Sequence, residues 1–220
     1  MNAMSGVLIL SVLLCLTSCA GGPRVADPFS DAPESARTPA VPFKAADSYE
    51  DALQVWETPE DINAWIAANF AYDLQRALRL AEAQKAKDER MSIYAPAEFF
   101  DTKTGVCVDL SRFGVETLKR IDPPSDPKYL MIEFDPVQIG GNTLRLHWLV
   151  SFKRGGRVFF FADSKRPGHM AGPYNDVQAF IDDYAQYRGR RIVAFKELES
   201  YQRKRRTEAA KSEVPGNQQE

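Results

Sequence analysis

Cysteine and histidine are scarce here, with 3 Cys and 2 His in 220 residues. Two histidines, His147 and His169, with no HExxH or CxxC spacing, supply no metal-ligand set, so neither a metal nor any other cofactor is expected. Charge of one sign is lacking as well. A formal net charge of -2 and a pI near 5.8 leave no basic face of the kind that binds nucleic acid. The one dense basic run, QRKRR from Gln202 to Arg206, reads as a solvated end, with an anionic-lipid or phosphate patch as the alternative. The apolar run VLILSVLLCL, Val7 to Leu16, is too short to cross a bilayer but suits the core of a signal peptide.

The end of that run sets the fate of the cysteines. Leu16-Thr17-Ser18-Cys19 resembles the bacterial lipobox. The resemblance implies a signal peptide over 1–18, with Cys19 as the diacylated first residue of the mature chain. A plain secretory signal cleaved near Ala20 is the alternative. Ala20 after the cysteine resembles outer-membrane sorting, so the expected location is the cell envelope, lipid-anchored and facing the periplasm. Cys15 then leaves with the signal and Cys19 takes lipid, so the mature chain offers Cys107 no second thiol for a disulfide. Exported chains pair their cysteines or avoid them. Cys107 is therefore either a buried inert residue or a reactive thiol.

Residues 19–47 carry Pro23, Pro28, Pro33, Pro39 and Pro42 among small and polar residues, the composition of an extended tether. A domain is expected over 48–200 and a charged tail over 201–220. Thr58-Pro59-Glu60-Asp61 carries a cap hydroxyl, a proline at the first helical position and acids in the first turn. Ile62, Trp65, Ile66, Phe70, Leu74, Ala77, Leu78 and Ala81 continue at helical spacing, predicting one helix running to about Lys87. Pro96 to Asp101 reads as a short helix, Thr102 to Gly105 as a loop, and Val106 to Ile121 as a helix stopped by Asp122-Pro123-Pro124. The period then becomes alternating. Tyr129–Phe134, Leu144–Phe152, Val158–Ala162 and Arg191–Phe195 read as strands, with a helix at Asp176–Tyr187. Helices first and antiparallel strands afterwards give an α+β fold. Segments 135–143 and 164–175 read as loops.

Cys107 at a helix start faces unsatisfied N–H groups and the positive end of the helix dipole, which favour a thiolate. Gly105 reads as a turn that exposes it, and Asp109 as a helix-start residue rather than a participant. His147 lies mid-strand in LRLHWLVSF, where a buried imidazole needs a partner. The connection Arg154-Gly155-Gly156 predicts a three-residue hairpin loop ending in a left-handed glycine. Lys153 would then pair with Arg157, placing His147 opposite Asp163, with Leu149 and Phe161 on that same face beneath the cysteine helix.

GVCVDLSRFGVETLKRI, LRLHWLVSF and RVFFFADSKRPG, with EDINAWIAANFAYD upstream, resemble the transglutaminase-like superfamily of papain-type thiol enzymes over roughly residues 55–165. The resemblance implies a papain/transglutaminase-like core, with the cysteine-bearing helix packed on an antiparallel sheet. It also implies a triad of Cys107 as nucleophile, His147 as base and Asp163 as its orienting acid, with the Cys107 N–H as one oxyanion donor. The expected activity is peptide amide hydrolysis through an acyl-enzyme on an envelope protein or peptide. An amine-accepting transglutaminase and a non-catalytic binding scaffold are the alternatives.

Overall fold

The structure, a computed structural model, describes residues 42–85, 91–139 and 141–202. The expected signal peptide, the Cys19 lipid site, the tether up to residue 41 and the tail beyond Gln202 lie outside the described residues, as does the expected helix end near Lys87. Among the described residues, no helix is long and apolar enough to cross a membrane.

The domain opens at α1 (Tyr49–Val55), capped by the Ser48 hydroxyl, which accepts from the Asp51 N–H at 3.1 Å. Next comes α2 (Pro59–Asn69), where Thr58 and Asp61 cap each other: Asp61 Oδ2 accepts from the Thr58 N–H at 3.0 Å, and Thr58 Oγ1 from the Asp61 N–H at 3.3 Å. The single long helix expected from here does not form. The chain leaves the helix at Phe70, Ala71–Tyr72 form β1, and a new helix α3 runs Leu74–Lys85. The cause is a long-range pairing that periodicity does not register. β1 pairs in parallel with β2 (Thr104–Gly105), the Ala71 N–H donating to Lys103 O and the Asp73 N–H to Gly105 O, each at 2.9 Å. Asp73 then starts α3, its carboxylate accepting from the Arg76 N–H at 2.8 Å. Between these elements lies α4 (Pro96–Thr102), and directly after β2 comes α5 (Cys107–Ile121).

The second half is a five-stranded antiparallel sheet. Its strands are β3 (Lys128–Ile139), β4 (Asn142–Arg154), β5 (Arg157–Phe161), β6 (Ala171–Tyr174) and β7 (Ile192–Leu198), in spatial order β6-β5-β4-β3-β7. The helix α6 (Val177–Arg188) lies between β6 and β7 in the chain. Segment 135–143, expected as a loop, is largely the end of the β3–β4 hairpin, and 164–175 contains β6. Helices and sheet together make the α+β class.

Strand alternation gives the sheet two apolar faces. Trp148, Val150, Phe152 and Phe161 join Leu110, Phe113, Val115 and Leu118 of α5 in one cluster with the aromatic residues of α1, α2 and α4. Leu130, Ile132, Phe134, Leu149 and Phe160 join Phe180, Ile181 and Tyr184 of α6 in the other. Leu149 and Phe161 therefore face opposite ways, contrary to the expected shared face. The hairpin explains the difference. Arg154, not Lys153, pairs with Arg157, and the loop is the two residues Gly155 and Gly156, both left-handed at φ 57° and 75°. Two positive φ values in a two-residue loop suit the twist of the flanking strands, so the shorter turn wins.

The α5 helix seats closely on β4. A Cβ on Gly114 would stand 2.7 Å from Val150 Cγ2, inside a fully buried contact. Gly114→Ala should gain up to about 1 kcal/mol of helix propensity but lose about 1–3 kcal/mol to overpacking. Urea denaturation should show a net loss; an unchanged or raised midpoint would contradict this seating.

Candidate active site

Cys107 is the first residue of α5, half-buried, and the one cysteine among the described residues. Three features hold it there. The β1–β2 pairing fixes the two residues preceding Val106. The aromatic layer packs behind the helix, with Phe113 at 4.9 Å from Trp65 and 5.0 Å from Phe99 between ring centroids. Asp109 does the rest. Its Oδ2 accepts from the Val106 N–H at 3.0 Å, its Oδ1 from the Tyr94 N–H at 2.9 Å, and both oxygens take a fork from Arg76 at 2.7 Å each. Arg76 also donates to Ser92 O at 2.7 Å, and its guanidinium lies 3.5 Å from the centroid of the Tyr94 ring. Burial pushes the Arg76 guanidinium down, but the hydrogen bonds and charge of Asp109 outweigh it and hold Arg76 protonated. Asp109, at 0% exposure, is thus a structural anion with its own counter-ion.

Gly105 has a different role from the expected turn. It is a strand residue, and a Cβ there would meet Phe99 Cε2 at 2.8 Å and Asp109 Cβ at 3.1 Å. Glycine is required by close approach rather than by backbone freedom.

His147 and Asp163 come together. His147 Nε2 lies 3.0 Å from Asp163 Oδ1, with both side chains buried. This pair does not arise from the predicted register, under which both residues would sit within paired strands. β5 ends at Phe161, and Ala162 adopts a left-handed φ of 60°, which turns the chain out of the ladder before Asp163. A residue with a Cβ is held in that region at roughly 1–3 kcal/mol. The loop after Asp163 is anchored on α2: Asn63 Nδ2 donates to Gly168 O at 2.8 Å.

Asp163 also accepts from the Lys165 N–H at 2.9 Å and the Tyr184 hydroxyl at 3.0 Å, with Arg166 Nε at 3.5 Å. Burial pushes its carboxyl up. The His147 hydrogen bond and charge, the Arg188 charge and the Lys165 N–H overcome this and hold it well below the usual carboxylate range. Tyr184 and Arg188 are parts of the site that the sequence did not reveal. They sit four residues apart on α6, a spacing that places them on one face but does not say what that face meets. Arg76, on α3, is the third such residue. His169, by contrast, is exposed on the 164–170 loop.

A cleft of about 190 Å³ opens at the start of α5, lined by Cys107, Val106 and Val108, by Tyr72, Ala77, Leu80 and Ala81, and by Thr143, Arg145, Leu146 and Trp148 of β4. Leu146 and Trp148 flank His147 in the chain. They belong to the α5 side of the sheet, whereas the imidazole stacks on Tyr184 of α6, with centroids 6.1 Å apart and planes at 10°. At this level β3 carries a bulge between Glu133 and Val137, just beyond the Glu133–Leu146 pair. Bulges bend a strand and re-aim its side chains, and they concentrate beside active sites.

A helix opening on a half-buried cysteine, packed on an antiparallel sheet that carries a buried His–Asp pair, is the architecture of a papain-like thiol-enzyme core. The family model described as transglutaminase-like domain matches residues 48–185, and the chain belongs to that family. Comparison with curated proteins gives no match.

The electrostatics generate two expected outcomes. Arg76→Met, which strands a buried carboxylate, should lower stability by about 3–5 kcal/mol in urea melts; a loss under about 1 kcal/mol would mean the pair is dispensable. Asp163, depressed in the folded state, stabilises fully above the unfolded carboxyl value of about pH 4, and this stabilisation fades as pH falls through its folded value. Stability measured from pH 5 to pH 2 should therefore fall less steeply in Asp163→Asn than in wild type. Equal slopes would show that Asp163 carries no such coupling.

Proposed function

We propose that this protein is a thiol hydrolase of peptide amide bonds, with Cys107 as nucleophile, His147 as general base and acid, and Asp163 as the residue orienting the imidazole. The observation that carries the reading is the buried hydrogen bond between His147 Nε2 and Asp163, in a chain whose half-buried Cys107 opens a helix beside a cleft. Membership of the transglutaminase-like family supports it, with the three residue types in the family's chain order.

With Nε2 turned to Asp163, Nδ1 is the nitrogen that takes the thiol proton. The thiolate attacks the amide carbon, and the tetrahedral oxyanion forms near the Cys107 N–H, which as the first of the helix lies outside its i→i−4 ladder. The imidazolium, stabilised by ionised Asp163, gives the proton to the leaving amine as the C–N bond breaks. Water, deprotonated by the same imidazole, then cleaves the thioester and releases a carboxylate. The transfer requires the Cys107 sulfur and His147 Nδ1 to come within hydrogen-bond reach.

The same proposal carries the expected setting: a lipid anchor on Cys19, a proline-rich tether and an envelope peptide or protein as substrate. The cleft, where polar groups including Arg145 and Thr143 stand among apolar side chains such as Leu80, Leu146 and Trp148, suits a peptide segment that presents both its backbone and a side chain.

Reaction of Cys107 with iodoacetamide in the full chain, with mass spectrometry of its tryptic peptide as readout, tests the pairing. Wild type at pH 7 should react at least tenfold faster than His147→Ala, since the base is what generates the nucleophile. Equal rates would leave Cys107 as an ordinary thiol and point to a binding scaffold.

A further inference from the structure

Tyr184 stands out among the buried polar groups that the proposed reaction does not use. It is 1% exposed, and its ring packs within the α6 cluster against Phe180 and Phe134. A buried phenol needs a hydrogen-bond partner, and this one has two of opposite character. Its hydroxyl donates to Asp163 Oδ2 at 3.0 Å and accepts from Arg188 Nη1 at 2.8 Å. The ring lies nearly parallel to the His147 imidazole. One side chain thus holds the orienting carboxylate by its oxygen and borders the imidazole by its face.

We infer that Tyr184, backed by Arg188, is a positioning residue for the proposed triad, fixing Asp163 and the His147 ring in their working orientation. The inference rests on the proposed catalytic role of Cys107, His147 and Asp163.

The geometry divides the carboxylate. Oδ1 serves His147 and the Lys165 N–H, and Oδ2 serves Tyr184, with Arg166 at longer range. The Tyr184 hydroxyl is thus the close anchor that stops the carboxylate from rotating about its Cβ–Cγ bond. Without it, Oδ2 would lose its short hydrogen bond and keep the 3.5 Å contact to Arg166, and Oδ1 would lose its fixed alignment with Nε2. Arg188 polarises the phenol from the far side, strengthening its donation, and adds a positive charge that favours ionised Asp163. Among the described residues, the charged and titratable groups facing Asp163 include His147 from β4, Arg166 and His169 from the loop, and Tyr184 and Arg188 from α6. Neither of the α6 groups lines the cleft at Cys107, so their effect on the thiol runs through Asp163 and His147.

A double-mutant cycle separates this role from structural support. Iodoacetamide reaction at Cys107 is measured in the full chain from pH 5 to pH 9 for wild type, Tyr184→Phe, Asp163→Asn and the double variant, each checked by urea melting. Tyr184→Phe keeps the ring and removes only the hydroxyl. It should slow the reaction at pH 7 roughly 5- to 20-fold, a part of the roughly 10- to 150-fold that losing a hydrogen bond to a charged group costs in full. In the Asp163→Asn background the same change should matter less than about twofold, since the group it acts through is gone. Arg188→Met should slow the reaction in the same direction by a smaller factor, and it serves as the second variant should Tyr184→Phe fold poorly. An equal slowing in both backgrounds, or a lowered melting midpoint with an unchanged rate, would overturn the inference and make Tyr184 a packing residue. A His147→Ala control that reacts as fast as wild type would instead overturn the catalytic reading itself, and the inference with it.

Discussion

The buried pair of Arg76 and Asp109 is the interaction on which the proposed site depends most. Two charges removed from water are tolerable only when each is fully paired, and here every strong contact serves the segment around Cys107. Asp109 reaches back to the Val106 N–H as a helix cap, so the turn before the cysteine is fixed from within α5. Arg76 ties that turn to α3, and the parallel pairing of β1 with β2 ties it to α2. The result is a helix start whose position is set by three separate chain segments. Asp109 gives that cap without leaving an unbalanced anion beside the thiol, because Arg76 neutralises it.

The second half of the site is assembled by different means. His147 occupies a strand and Asp163 a turn, joined only because Ala162 breaks the ladder with a left-handed backbone. The sheet's regular geometry would have carried residue 163 on without this contact. A local departure from the ladder produces the pair, and the 164–170 loop is then held by Asn63 and Gly168 against α2. Around Asp163 the donors come from three elements, and their sum keeps the carboxylate ionised although burial opposes it. The Cys107 helix packs on one face of the sheet and the His147 ring stacks on the other, against Tyr184.

Much of this was legible in the sequence. The Thr58-Pro59 cap, the stop at Asp122-Pro123 and the change from helical to alternating period at Tyr129 are local signals, and the structure follows them. The residues Cys107, His147 and Asp163 could be picked out because they stand in the family's order. What escaped were long-range effects. The spacing from Ile62 through Ala81 is as helical as any, yet the chain breaks at Phe70 because Ala71 and Tyr72 pair with Thr104 and Gly105, far along the chain. Arg154-Gly155-Gly156 permits two turn lengths, and strand twist chose the shorter. The His147–Asp163 contact was expected for a reason the structure does not use. Arg76, Tyr184 and Arg188 lie on amphipathic helices whose polar faces resemble solvated ones until the partner surface is known.

The central claim is that Cys107 forms an acyl-enzyme. Acid-quenched mass spectrometry of the full chain, incubated with an activated peptide ester, tests it most directly. The account predicts an acyl adduct on the Cys107 peptide that hydroxylamine removes, that turns over with time, and that is absent from Cys107→Ala. An adduct on Cys107 no greater in the folded chain than in the urea-unfolded chain would contradict it.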